Sequence, residues 1–283
     1  MSALLLQAAE RRGLAVPPPP HGPESLGELA AALFLRPRRG LRRTPREQAY
    51  LEGARPLRLP SPAGPLAGWA WGDPGRPAVA LVHGWEGHAA QLGAFAAPLV
   101  AAGFRPVAFD APGHGESPGD EASVPQLGRV LAALEAAVGP WAAMIGHSMG
   151  AAAAAMATTC GCRPRGLVML APPQSQDEPA RRLMERLRLD AEVRPHFLAA
   201  LARRTGREPA ETDLRVVARR APCPLRVFHD PADPDTSYAA AEETVALWRG
   251  ARLVPCPGRG HHRILATPAV VAQAVDFIRA PAP

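Results

Sequence analysis

The sequence predicts an α/β fold in which helices cover both faces of a mostly parallel central sheet. Three observations indicate it. From residue 55 onward, short apolar stretches alternate with helical stretches, which is typical of a parallel sheet. The residues Gly-His-Ser-Met-Gly at 146–150 separate an apolar strand from a helix of small residues. Amphipathic helical sequence over residues 172–221 interrupts the alternation between late strands, and we expect it to form a short helical lid.

An N-terminal extension, residues 1–54, precedes this pattern and is predicted to be helical. Pro17–Pro20 would form a linker between its short helices. Ser25 and Glu28 have the spacing of a capping box, and Thr44-Pro45-Arg46-Glu47 combines a capping threonine, a proline in the first turn and a returning acid. We therefore divide the chain into the extension and a main domain, residues 55–283, which contains the insertion at 172–221.

The main domain is predicted to open with an antiparallel hairpin, Arg55–Leu59 and Pro65–Trp71. The later predicted strands are Ala78–His83, Pro106–Asp110, Trp141–Ile145, Gly166–Ala171, Leu225–His229 and Ala251–Pro255. The predicted helices are Ala89–Ala102 with a kink at Pro98, Ser123–Gly139, Met149–Thr159, Tyr238–Arg249 and a last helix that begins after Thr267.

The net charge of +6 and the isoelectric point near 10 do not indicate a nucleic-acid partner. The 32 basic residues are all arginine, and their excess lies in two segments: residues 1–60 carry 10 Arg against 5 acids, and 172–221 carry 11 against 8. Aromatic residues, on which bases would stack, make up only 5% of the chain. We interpret the arginine run over residues 36–46 as a solvated helical face and expect no nucleic-acid binding.

Cysteine usage and hydropathy favour a cytoplasmic protein. Four scattered cysteines do not make a secreted disulfide framework, and the first residues lack the pattern of a signal peptide. Residues 136–162 carry no formal charge over a length that would span a bilayer, but Gly139-Pro140 and the polar centre at His147 and Ser148 interrupt them. We therefore expect no membrane span.

The motif Gly146-His147-Ser148-Met149-Gly150 carries the strongest chemical signal. A sharp turn between a strand and a helix lifts a serine hydroxyl above the sheet, and the flanking glycines avoid clashes that a Cβ would create. The N-terminus of the following helix favours developing negative charge. The pattern predicts a nucleophilic serine.

With this motif the sequence resembles the α/β-hydrolase superfamily, in its esterase and lipase-like, serine aminopeptidase-like branch, from about residue 55 to the end. Further segments match in the family's order: His83-Gly84-Trp85 resembles the oxyanion loop, 109–117 the D-x-x-G-x-G-x-S turn, 228–233 the acid loop, and Gly260-His261-His262 the histidine loop.

The resemblance implies a catalytic triad of Ser148 as nucleophile, His261 as general base and Asp233 as the acid that orients it. It implies an oxyanion hole formed by the backbone N–H groups of Trp85 and Met149. The rival candidates for the acid are Asp230, nearer the strand end, Asp235, two residues later, and Asp177 or Glu178, which follow the preceding strand. Thr236-Ser237 replaces the Val-Pro that the family places after its acid, so the register stays open. His262 is the rival candidate for the base.

The function implied is that of a serine hydrolase that cleaves a carboxylic ester or thioester through an acyl-enzyme. An acyltransferase with the same triad, or a non-catalytic binding protein that kept the fold, would also fit the sequence. We expect no cofactor and no metal, and a small-molecule ester substrate with an apolar acyl group. Apolar residues of the insertion would receive that group, namely Leu183, Met184, Leu187, Leu189, Phe197, Leu198 and Leu201. The sequence leaves the oligomeric state open.

Overall fold

The computed structural model describes residues 3–280 and contains one eight-stranded sheet. The strands follow the spatial order β1-β2-β4-β3-β5-β6-β7-β8. β1 and β2 form the predicted antiparallel hairpin, β2 is also antiparallel to β4, and all other neighbours are parallel. The strands are β1 (Arg55–Leu59), β2 (Leu66–Ala70), β3 (Ala78–Val82), β4 (Arg105–Phe109), β5 (Trp141–His147), β6 (Leu167–Leu170), β7 (Leu225–His229) and β8 (Ala251–Pro255). The predicted fold class is confirmed.

Twelve α-helices lie within residues 3–280. They are α1 (Ala3–Arg11), α2 (Pro23–Leu35), α3 (Pro45–Glu52), α4 (Ala96–Ala101), α5 (Val124–Val138), α6 (Met149–Thr159), α7 (Asp177–Arg186), α8 (Val193–Thr205), α9 (Leu214–Ala218), α10 (Tyr238–Leu247), α11 (Gly260–Arg263) and α12 (Pro268–Arg279). Short 3₁₀ turns cover Ala89–Phe95, Pro209–Thr212 and Ile264–Ala266. The helix predicted over 89–102 is therefore a 3₁₀ segment followed by α4, in whose first turn Pro98 is tolerated.

Two apolar cores sandwich the sheet, as a parallel sheet with both faces covered requires. One face packs against α5, α6, α9 and α10, with the fully buried ring of Trp141 among its contacts. The other face packs against α3, the 89–95 segment, α4 and α12 around Phe95. Both layers bury strand residues such as Val79 and Ala80 completely, so the middle of the sheet is covered on both sides.

A third core joins the N-terminal extension to the insertion. Buried residues of α1 and α2 share one cluster with buried residues of α7 and α8, for example Leu29 with Phe197. Outside the cluster, Glu28 of α2 pairs with Arg203 and Arg204 of α8. Helices of the two segments with excess arginine thus form one helical unit, although more than 130 residues separate α2 from α7 in the sequence.

Local predictions in the extension have mixed outcomes. The capping box at Thr44 is present, with Glu47 N–H donating to the threonine hydroxyl and the Glu47 carboxylate accepting from Thr44 N–H. The capping box at Ser25 is wrong, because α2 begins at Pro23 with Gly22 as its cap and the Ser25 hydroxyl donates to the Gly22 carbonyl. A proline fixed at a helical φ begins this helix two residues before the serine.

Gly27 permits the close crossing of α2 and α8, so we expect Gly27→Ala to destabilise the protein. A Cβ at this position would lie 2.6 Å from the Cβ of His196 and 2.7 Å from the backbone of His196 and Phe197. Overpacking of this kind costs about 1–3 kcal/mol, more than the roughly 1 kcal/mol that alanine gains over glycine in a helix. The free energy of unfolding in urea measures the effect.

The matched control is Gly53→Ala. Gly53 has a φ of −92° and no neighbour within 4 Å of a built Cβ. This variant should unfold at the wild-type urea concentration. Equal midpoints for Gly27→Ala and wild type would contradict the close crossing.

Candidate active site

Ser148 lies on a strained turn between β5 and α6. Its φ of 49° and ψ of −121° are unfavourable for a residue with a side chain, and such strain persists only where the surroundings enforce it. A Cβ on Gly146 would lie 2.5 Å from Ala151 Cα, and one on Gly150 would lie 2.3 Å from the Val82 carbonyl oxygen. Only glycine fits at these two positions, which explains the motif read from the sequence.

The loop after β3 passes directly beside this serine. A Cβ on Gly84 would lie 3.1 Å from Ser148 Cβ and 2.9 Å from His147 Nδ1. Within residues 3–280, neither Trp85 N–H nor Met149 N–H donates a hydrogen bond to another group of the chain. Both predicted oxyanion donors are therefore unpaired, on the two segments that meet at Ser148.

Asp233 and His261 are in direct contact at the carboxyl edge of the sheet. The Asp233 Oδ2 atom lies 2.9 Å from His261 Nδ1, and the Asp233 side chain is fully buried. The hydroxyl of Thr236 donates to the same oxygen, while the N–H groups of Asp235 and Thr236 donate to Oδ1. Burial alone would raise the pKa of Asp233, but these hydrogen bonds, that from His261 first, hold the pKa below its usual value.

The rival acid Asp230 has a different set of contacts. Its Oδ2 accepts the N–H of Gly260 at 2.5 Å and its Oδ1 accepts the N–H of Ala232. The bond from Gly260 lowers the pKa of this carboxyl, followed by that from Ala232. Asp230 thus holds the backbone immediately before His261 and does not contact the imidazole.

The remaining rival residues make no contact of this kind. Asp177 and Glu178 begin α7 in the insertion, and Asp235 is exposed. His262 is exposed too, with its ring edge against that of His261 at 5.1 Å between centroids. The structure therefore brings Asp233 to His261 and leaves each competitor outside that contact.

His147 connects the serine turn to the histidine loop. Its Nε2 donates to the His261 carbonyl oxygen at 2.9 Å, and the two rings lie 4.7 Å apart. Complete burial lowers the pKa of His147 to about 3, so the ring is neutral. Ser148 and His261 thereby belong to adjoining loops, although no hydrogen bond between their side chains is present within residues 3–280. Such bonds are often long before a substrate binds.

His229 lies beside Asp233. From the sequence it was expected only to end a strand. Its Nε2 lies 3.5 Å from Asp233 Oδ2 and within hydrogen-bonding distance of Thr236. Burial lowers the pKa of His229. The sequence signal for this contact is weak: Asp233 and Thr236 follow the strand that ends at His229, but Asp and Thr are common in turns of any kind.

Two further histidines stabilise the loops after β3 and β4. His83 Nδ1 donates to the Gly84 carbonyl and its Nε2 accepts Ala111 N–H. His114 Nδ1 donates to the Pro112 carbonyl and its Nε2 accepts Glu86 N–H. Because a backbone N–H can only donate, both rings must be neutral with the proton on Nδ1. These two histidines support the loops on which the predicted oxyanion hole depends.

Comparison with known proteins identifies the family. The family model described as "Serine aminopeptidase, S33", a hydrolase family, matches residues 73–253, well over half of the chain. The chain belongs to this family of α/β hydrolases. The match includes the serine turn and the acid loop.

Solved structures show that the hydrolase shares its fold with several esterases and lipases. An esterase of Pyrococcus furiosus is 17% identical with a TM-score of 0.61, over 87% of this chain and 96% of that one. A monoacylglycerol lipase of Paleococcus ferrophilus is 20% identical with a TM-score of 0.57, over 76% and 98%. An esterase of Rhodococcus sp. is 18% identical with a TM-score of 0.58, over 81% and 99%. No curated protein sequence matches this hydrolase.

The insertion of the hydrolase shares an apolar core with the N-terminal extension. Leu183, Leu187, Leu189, Phe197 and Leu201 are buried against α1 and α2. The prediction that these side chains receive an acyl group is wrong for the buried five, because the N-terminal extension covers them. Residues 3–280 contain no helix with the length and apolar character needed to cross a bilayer.

Two other features do not add a second centre. Ligand atoms of Asp233, Asp235 and His261 lie within 4.8 Å of one another, a set that can ligate a cation, but Asp233 and His261 already share a hydrogen bond. A cleft of about 320 Å³ opens beside β1 and β2, and its lining contains none of the predicted triad. Arg43 lies over the Trp69 ring in that cleft and pairs with Glu116.

We expect the hydrolase to lose stability as the pH falls from 7.5 to 5. Burial lowers the pKa of His83 and of His114 to about 4, and that of His147 to about 3. The folded protein therefore binds fewer protons than the unfolded chain between about pH 4 and 6.5, so stability is present above pH 6.5 and is lost below it. Each histidine should contribute a loss of roughly 2 kcal/mol at pH 5, measured by urea unfolding at both pH values.

The variant His114→Gln isolates one contribution. Whatever its stability at pH 7.5, its loss between the two pH values should be smaller than that of wild type by roughly 2 kcal/mol. The exposed His262→Gln should keep the full loss. An unchanged pH dependence in His114→Gln would show that this ring is protonated in the folded protein.

Proposed function

We propose that this hydrolase cleaves carboxylic esters through an acyl-enzyme on Ser148. The observation that carries the proposal is the pairing of two features at the carboxyl edge of the sheet. Ser148 is held at a φ of 49° at the start of α6, and the buried Asp233 carboxylate contacts His261 Nδ1 at 2.9 Å on the adjoining loop. A binding module has no need of a strained serine and an acid-oriented histidine together.

Each group has a defined step in the proposed reaction. Asp233 fixes the proton of His261 on Nδ1, which leaves Nε2 as the base. As Ser148 Oγ attacks the ester carbonyl, Nε2 takes its proton and then passes it to the departing alcohol oxygen. Water then attacks the acyl-enzyme while Nε2 takes its proton, and Nε2 passes that proton to Ser148 Oγ as the bond from the acyl carbon to Oγ breaks. The carboxylic acid and the free serine are released.

The unpaired N–H groups of Trp85 and Met149 would stabilise the negative charge on the carbonyl oxygen. Loss of one such donor typically costs about 2.7–4 kcal/mol of transition-state stabilisation. Because both donors belong to the backbone, the side chain of Trp85, which is 38% exposed, is free to contact the substrate.

The similar structures support an ester or thioester substrate. Besides the esterases and the lipase, they include the thioesterase domain from the curacin biosynthetic pathway, at 19% identity and a TM-score of 0.56. The apolar side chains of the insertion are packed against the extension, so we propose a substrate with a short acyl group. A p-nitrophenyl ester series tests this, with acetate and butyrate expected to react faster than laurate.

Labelling with a fluorophosphonate probe tests the nucleophile directly. The wild-type protein should be labelled and Ser148→Ala should not, since the probe reacts covalently only with an activated serine. The Ser61→Ala variant is the matched control, because Ser61 lies in the turn between β1 and β2. A folded wild-type protein that resists the probe and hydrolyses no ester would overturn the proposed function.

A further inference from the structure

Glu86 follows the predicted oxyanion donor Trp85 and has an unusual backbone. Its φ is +56°, the left-handed region that favours glycine, and a residue with a side chain pays roughly 1–2 kcal/mol to adopt it. Such a conformation persists only when the surrounding contacts enforce it. The contacts of Glu86 therefore determine the path of the loop at Trp85.

The N-terminal extension supplies most of those contacts. Arg38 donates its backbone N–H to Glu86 Oε1 at 2.9 Å and its Nε to Oε2 at 2.8 Å, and its Nη2 lies 2.7 Å from the same oxygen. Arg12 Nη2 lies 3.6 Å from Oε1. On the other side, Glu86 N–H donates to His114 Nε2. The loop is thus held by the extension through its side chain and by the main domain through its backbone.

The segment that carries Arg38 is fixed along its length. Arg12 donates to the Arg36 carbonyl, Arg39 donates to the carbonyls of Ser117 and Gly119, and Arg43 pairs with Glu116. Residues 36–44 have no regular secondary structure, so the sequence-based interpretation of this run as a solvated helical face is wrong. Three of its arginines, Arg38, Arg39 and Arg43, instead bond to the loops after β3 and β4.

The pKa of Glu86 and its burial agree with this arrangement. Burial alone would raise the pKa of Glu86, but hydrogen bonds from Arg38 outweigh it and hold the pKa below its usual value. The Glu86 side chain is 17% exposed whereas that of Arg38 is 74% exposed. The carboxylate is therefore the fixed member of the pair, and the arginine reaches it from the surface.

We propose that Arg38 is a positioning residue for the oxyanion loop: its hydrogen bonds to Glu86 hold the backbone N–H of Trp85 in place beside Ser148. This role rests on the proposed function, because it acts through the oxyanion hole. It assigns to the N-terminal extension a part in catalysis that the family match, which begins at residue 73, does not contain. The extension is then required for turnover, not only for packing of the insertion.

The test compares Arg38→Ala and Glu86→Gln with Arg42→Ala. Arg42 lies in the same segment, is exposed, and has no hydrogen bond or ion pair within residues 3–280. Steady-state kinetics with p-nitrophenyl acetate should show kcat lowered roughly 10- to 100-fold in the first two variants with KM little changed, and Arg42→Ala at the wild-type value. A misplaced oxyanion donor weakens the transition state and not substrate binding, so the loss falls on kcat.

The concentration of active enzyme in each variant is measured by active-site titration with the fluorophosphonate, so that unfolded protein is not counted when kcat is calculated. The double variant Arg38→Ala/Glu86→Gln should be no slower than the slower single variant, because each removes the same contact. Arg38→Lys should recover only part of the rate, since an ammonium keeps the charge but not the geometry.

The outcomes separate the two proposals. An active wild type with Arg38→Ala and Glu86→Gln at wild-type kcat would overturn the positioning role and leave the proposed function intact. A change in KM alone would also overturn it. A wild type that neither reacts with the probe nor hydrolyses esters would overturn the proposed function, and the positioning role with it.

Discussion

Ser148→Ala and His261→Ala should each lower kcat for a p-nitrophenyl ester by about a million-fold, and the double variant should be no slower. In the proposed mechanism Ser148 and His261 act as one unit, because the serine hydroxyl is a weak nucleophile without proton removal and His261 has no other task. The remaining rate should still exceed that in water by roughly 10³–10⁴, from the unpaired N–H groups at Trp85 and Met149. Single-turnover kinetics at enzyme excess would measure so slow a reaction.

His262→Ala is the matched control for the base. The residue is adjacent in the chain and its ring contacts that of His261, but it is exposed and does not contact Asp233. We expect its kcat to stay near the wild-type value. A dead His262→Ala beside an active His261→Ala would assign the base to the other histidine.

The parts of the fold that local sequence determines are predicted well. The hairpin, the parallel strands and the helix after Ser148 follow from hydrophobic period and from glycines whose missing Cβ atoms leave room for neighbouring backbone. Boundaries differ by one or two residues, as for the strand predicted over 106–110, which is Arg105–Phe109. For the candidate site, the sequence motifs alone are enough to give the chain order of the serine, acid and histidine segments.

Features that the sequence does not reveal depend on contacts between distant segments. Arg38 and Glu86 are 48 residues apart, and the crossing of α2 with α8 joins residues about 170 positions apart. No periodicity indicates such pairs, so the arginine run is interpreted as a solvated helical face and the buried apolar residues of the insertion as an acyl-binding surface. Both interpretations treat the extension and the insertion separately, whereas each covers the apolar or charged groups of the other.

The sequence also does not decide which of Asp230 and Asp233 contacts His261, for a different reason. Both follow β7 and both have a lowered pKa, so neither proximity to the strand end nor acidity separates them. The separation lies in which atom each carboxylate accepts from: a backbone N–H of Gly260 for one and the imidazole Nδ1 of His261 for the other. Which of the two contacts His261 depends on the exact position of each residue in the loop, and turn propensities do not specify positions to that precision.

Asp233→Asn should lower kcat by about ten-thousand-fold while leaving the free energy of unfolding at neutral pH only slightly reduced. An asparagine amide facing His261 Nδ1 would favour the wrong tautomer and would not stabilise the imidazolium that forms when Ser148 is deprotonated. Asp230→Asn should behave in the opposite way. Its two oxygens accept from Gly260 and Ala232, and an amide keeps one acceptor only, which leaves a backbone N–H unpaired at a cost of about 1–3 kcal/mol of stability.

Urea unfolding and ester hydrolysis on the same two variants therefore separate the roles. The Asp230→Asn variant keeps the proposed acid, Asp233, and the proposed base, His261, so kcat should fall far less than in Asp233→Asn. A ten-thousand-fold loss of kcat in Asp230→Asn, with Asp233→Asn near the wild-type value, would instead make Asp230 the acid of the triad, and the contact of Asp233 with His261 would then be structural.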